Sequence, residues 1–157
     1  MMILKNYILQ YKNALEEKSE NVLFGKINEG NSLINEKGDY YDFLKIADGL
    51  RAGTIDLWRY KDIDKNQYMI TNNANWICIG QIDYIPLMLK KDSNEVYIYN
   101  EFMEKDKQWQ IISKFNEFIT DYVFGEKYCM IVPNVNEDQW YQFIKNLKLW
   151  SKNYGDK

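Results

Sequence analysis

From Met2 to Lys18 the apolar side chains Leu4, Ile8, Tyr11 and Leu15 recur at i, i+4, i+7 and i+11, which sets them on one face of an amphipathic helix. The period then breaks. Between Val22 and Asn35 glycines and several asparagines leave a loop-rich stretch, with Val22-Leu23-Phe24 as a short edge strand. A second helix is predicted from Tyr40, with Asp39 as its capping acceptor, Tyr40, Phe43, Leu44 and Ala47 as its apolar face, and Gly49 as its stop.

The pattern next turns to strands. Thr54 to Tyr60 carries the Ile and aromatic content of a strand, and a polar connector rich in Asp, Lys and Asn follows it. Trp76 to Ile82 is almost uninterrupted by polar residues, so it is predicted as a strand buried on both faces near the sheet centre. Leu87-Met88-Leu89-Lys90 and Val96-Tyr97-Ile98-Tyr99 flank the turn-forming Lys91 to Glu95, the pattern of an antiparallel hairpin.

Three elements remain. Gln108 to Phe124 is predicted as a helix on the stripe Ile111, Phe115, Phe118 and Tyr122, widened by Ile112, Ile119 and Val123 and stopped by Gly125. Tyr128 to Val132 is a short apolar run ended by Pro133, predicted as a strand. The last helix runs from about Glu137 to Tyr154. Trp140, Ile144, Leu147 and Trp150/Ser151 face one way on it, and Lys145, Lys148 and Lys152 form its wet stripe. Together these elements predict an α+β fold: a single domain over residues 1–157 with a central, mostly antiparallel sheet covered by helices.

Length supports one domain, since 157 residues bury enough surface to need no disulfide or metal staple. Net charge is −3 with both signs interspersed, which disfavours a general phosphate-backbone binder and so nucleic acid as partner. Met1 to Leu4 is interrupted by Lys5 and Asn6 and is too short for a signal-peptide core, and no run approaches a membrane span. Cys78 and Cys129 are read as buried thiols in a reducing compartment, so the expected location is the cytoplasm, without membrane contact.

Histidine is absent, which removes Ser-His and Cys-His pairs, His metal ligands and His acid-base chemistry. No glycine loop suited to phosphates is present, so no catalytic residue, cofactor or metal is assigned. The carboxylates Asp62 and Asp64, or Glu101, Glu104 and Asp106, lie among Lys and Asn in polar connectors and read as solvated surface. Of the many aromatics, Phe43, Trp76, Phe115 and Phe118 are assigned to the core. Trp58 and Tyr60 share one face of their strand with Thr54 and Asp56, opposite Ile55 and Leu57. That half-polar face suits either a contact surface or core packing. Trp58, Tyr60, Asp56, Asp62 and Asp64 are the partner-binding candidates.

Tyr40-Tyr41-Asp42-Phe43-Leu44-Lys45-Ile46-Ala47-Asp48-Gly49 resembles the helix-to-glycine signature of the SUKH superfamily. Trp76-Ile77-Cys78-Ile79-Gly80 resembles the strand that follows it there, and Leu87-Met88-Leu89 with Glu95-Val96-Tyr97 resembles the family's hairpin. Ile111 to Phe118, through Ser113-Lys114-Phe115-Asn116-Glu117-Phe118, resembles its closing helix. About half the chain takes part. Where the family commonly has Leu-Pro before the Tyr-rich helix, this chain has Glu36-Lys37-Gly38-Asp39. The resemblance implies a SUKH-like α+β fold and, for bacterial members, an immunity protein that binds and neutralises a toxin without an active site. The alternative it leaves is an intracellular regulatory interaction module with no toxin partner.

Overall fold

The computed structural model describes residues 2–18, 24–67, 74–147 and 149. Seven strands form one antiparallel sheet in sequence order, so every strand lies beside its chain neighbour. They are β1 (Gly25–Ile27), β2 (Leu50–Ala52), β3 (Ile55–Leu57), β4 (Trp76–Ile82), β5 (Ile85–Lys90), β6 (Glu95–Tyr99) and β7 (Trp109–Lys114). The described helices are α1 (Met2–Lys18), α2 (Asp39–Ile46), α3 (Phe115–Glu117), α4 (Tyr128–Ile131) and α5 (Gln139–Leu147). Among the described residues no helix is long and apolar enough to cross a membrane.

The expected face of α1 is the observed one, with Leu4, Ile8, Tyr11 and Leu15 buried and joined by Tyr7. On the sheet, Ile77, Leu89 and Val96 form one cross-strand row and Leu87 and Ile98 another. These rows meet Ile8, Phe43, Leu44, Phe115, Phe118, Trp140 and Ile144 from the helices in one continuous core. β4 sits fourth of the seven strands and is buried through its middle, as its uninterrupted apolar run predicts. The hairpin is also where the pattern placed it, Lys90 pairing with Glu95.

Gly80 permits close packing of β3 on β4, since a Cβ there would stand 2.0 Å from the Asp56 carbonyl oxygen. β3 ends early, and past it the side chain of Gln67 takes over. Its amide accepts from the Cys78 N–H and donates to the Cys78 carbonyl, both at 2.8 Å, continuing the ladder on that side of β4.

Several predicted elements are corrected. Residues 22 and 23 lie outside the described residues, and the edge strand occupies Gly25–Ile27, after a turn at Phe24. Asp39 is the first residue of α2 rather than its cap, and its carboxylate accepts a hydrogen bond from the Asn94 amide at 2.7 Å. Helix α2 stops at an extended Ala47. Gly49, with φ of 80°, is needed instead because a Cβ would stand 2.7 Å from the Leu57 carbonyl oxygen. The predicted strand from Thr54 to Tyr60 is only Ile55–Leu57, and Tyr60–Asp62 and Asp64–Asn66 are 3-10 turns.

The predicted helix from Gln108 begins only at Phe115, because Trp109–Lys114 pairs with β6. From Phe118 to Val123 that helix is wound as a π-helix. The segment ends there, which leaves its last carbonyls without helical partners, and buried donors take them. Tyr11 donates to Phe124 O at 3.1 Å, and Trp140 Nε1 donates to Val123 O at 2.8 Å. The run at Tyr128 is helical, with Tyr128 and Val132 buried and Met130 exposed, a one-turn spacing rather than an alternation. Cys129 is consequently exposed, whereas Cys78 is buried as expected. Trp150, Ser151, Lys148 and Lys152 lie outside the described residues.

Candidate functional site

The five residues singled out from sequence separate in the structure. Asp56 lies on β3, in an ion pair with Arg51 at 3.1 Å, and accepts from the Gln81 amide at 3.2 Å. Asp62 pairs with Lys65 at 2.9 Å. Both charges are therefore balanced locally. Trp58 packs half-buried against the core, and its buried indole N–H lacks a full hydrogen bond, although it stands close enough to the Cys78 sulfur to influence that thiol. Asp56, Trp58 and Asp62 line a groove of about 350 Å³. Arg51, Arg59, Lys26 and Lys65 share it, so its character is basic.

Tyr60 and Asp64 open instead onto a neighbouring cleft of about 820 Å³, with Glu36, Tyr41 and Trp76. There the Tyr60 phenol donates to the Glu36 carboxylate at 2.6 Å, and the Tyr60 main-chain N–H donates to Asp48 at 2.7 Å. The phenol holds the Glu36 carboxyl below its ordinary range, and the same bond raises the Tyr60 phenol. The contact therefore contributes above the ordinary carboxylate pKa and fades as pH falls through the depressed one. At the alkaline side it fades as pH rises through the raised phenol pKa. Tyr60→Phe should return the Glu36 titration, followed by carboxyl NMR, upward toward its ordinary value. An unmoved titration would contradict the contact.

A second surface was not singled out from the sequence. On the face of the sheet opposite the helices, Trp76, Tyr97, Tyr99 and Trp109 form a linked set of rings. Trp109 stands 4.4 Å from Trp76 and 4.6 Å from Tyr99, and Trp76 stands 5.0 Å from Tyr97 at an interplanar angle of 84°. This corrects the assignment of Trp76 to the core. Its place follows from register: Trp76 pairs with Lys90 and Lys90 with Glu95, so it shares a row with polar residues.

The surface extends to the end of the sheet. Tyr84, in the tight turn joining β4 to β5, is 82% exposed with φ of 71°, and Phe102, in the loop joining β6 to β7, is 88% exposed. With Pro86 and Tyr99 they line a notch of about 380 Å³. Ile111 and Met103 are exposed nearby in sequence. Holding a tyrosine in a left-handed conformation costs energy that a glycine or asparagine would largely avoid, and here it presents the ring to solvent. The sequence signal was available in part, since the alternation Val96-Tyr97-Ile98-Tyr99 puts both tyrosines opposite the core side.

Comparison of the chain with protein-family models, with curated proteins and with solved structures finds no match. The fold and this face define an α+β domain with an aromatic outer sheet surface.

Proposed function

We propose that the chain is a non-catalytic protein-binding domain, an immunity protein that neutralises a bacterial toxin by direct contact in the cytoplasm. One observation carries the binding part: Trp76, Tyr97, Tyr99 and Trp109, continued by Tyr84 and Phe102, put aromatic surface where solvent reaches it. Exposed rings of this kind dominate interface energies because they bury large area with few rotatable bonds. The toxin part is supported by the SUKH-like order of motifs. We favour the aromatic face over the group around Trp58 and Tyr60 as the contact surface, because Trp58 packs on the core and Asp56 and Asp62 are already paired.

The test is co-expression with the toxin encoded beside this gene, read as restored growth and a stable complex. Failure of both with every neighbouring toxin would sink the immunity reading, and recovery of host proteins alone from the native cytoplasm would favour a regulatory module. Trp109→Ala should weaken the toxin complex by about 2 kcal/mol or more in protein that remains folded, with a separate cost to stability of about 1–3 kcal/mol from the lost ring contacts. Unchanged affinity by calorimetry would place the interface elsewhere.

A further inference from the structure

Among the described residues, strand β7 is last in the sheet and pairs on one side only. The Asn100 N–H donates to Gln108 O, so the Asn100/Gln108 pair is hydrogen-bonded and, two residues on, so is Ile98/Gln110. By the same alternation the main-chain N–H and C=O groups of Trp109 and Ile111 point away from β6, off the open edge. Their side chains stand on the outer face, opposite Tyr99 and Tyr97, and are 38% and 53% exposed. Unpaired main-chain groups in this arrangement are matched by another extended strand.

We propose that the strand is β7 of a second copy of this chain, set antiparallel about a two-fold axis through Gln110. In that register each Trp109 faces the partner's Ile111 in a hydrogen-bonded pair, giving about four new main-chain bonds. Both sheets keep their outer faces on the same side, so the two aromatic clusters become neighbours on one continuous surface. Three features favour a second copy over an unrelated strand. The Trp109-Gln110-Ile111 triplet is self-complementary about its middle residue, pairing an aromatic with a β-branched side chain twice. Gln108 to Ser113 carry no charge, so identical edges meet without repulsion. Trp109 and Ile111 with the main chain between them offer a few hundred Å² per copy. That is below the roughly 800 Å² per partner of a tight complex and fits a weak, concentration-dependent dimer.

The experiment is sedimentation velocity on the purified chain alone, so its outcome is separate from any toxin assay. The mass should rise from one chain toward two between low and high micromolar concentration. Ile111→Lys should weaken self-association about tenfold or more with an unchanged near-ultraviolet spectrum. Ile111→Pro, which deletes an N–H that does not bond to β6, should do the same if the lysine variant folds poorly. Leu33→Lys, at a loop position 85% exposed, serves as the control and should self-associate like the parent. A chain that stays monomeric throughout, or a dimer that persists in folded Ile111→Lys and Ile111→Pro, overturns the proposal.

Discussion

Phe115→Ala is expected to lower the free energy of unfolding by about 3–5 kcal/mol, a large share of the stability of a domain of this size. Phe115 is fully buried at the junction between β7 and the helical segment that follows it. Its ring meets Tyr40 at 5.4 Å and Phe43 at 5.6 Å, both edge-on, and it adjoins Phe118. Truncation would remove the shared neighbour of α2 and the π-helix, and neither side can close on the void without moving the strand that precedes it. Urea denaturation would measure the loss as a lowered midpoint at constant slope. A change below about 1 kcal/mol would mean that the ring is not packed as described.

Trp140→Ala should cost a similar amount, about 3–5 kcal/mol, for two reasons that a companion variant separates. The indole is fully buried between Phe124 and Phe143, so its removal leaves a cavity. Its N–H also satisfies the Val123 carbonyl, left without a helical partner where the π-helix ends. Trp140→Phe keeps most of the volume and loses the donor, and should cost about 1–3 kcal/mol. If both variants lost equally little, α5 would not be docked against the π-helix.

The sequence made some of this legible and hid the rest, for identifiable physical reasons. In α1 and β4 a single period or a single uninterrupted run spans the whole element, so pattern and burial agree. β7 was hidden because Ile111 stands four residues before Phe115, and the helical spacing of Phe115, Phe118 and Tyr122 extends backward by accident into a strand. The mixed content of Trp109-Gln110-Ile111-Ile112 was the competing signal. At Tyr128 to Val132 a five-residue apolar run is too short for its period to be read, and tertiary packing of Tyr128 decided for a helix. There the phenol donates to Asp138 at 2.6 Å, which fixes the start of α5.

The candidate site was less legible than the fold. Tyr97 and Tyr99 could be assigned to the outer face from alternation alone, but the meeting of Trp76 with Trp109 depends on two strands lying between them in the sheet. No local spacing reports that distance. Conversely, Trp58 and Tyr60 share a face only in a strand that runs three residues past its true end at Leu57, and the turn at Tyr60–Asp62 sends them into different grooves.

The tyrosines of α1 have a consequence for how the chain is made. Tyr7 and Tyr11 find their acceptors at Phe124, more than a hundred residues later. During synthesis α1 therefore emerges with its apolar side uncovered and waits for more than a hundred further residues to be added. For that interval Leu4, Ile8 and Leu15 are available to chaperones or to another nascent chain, and docking of α1 has to wait for the segment around Phe124.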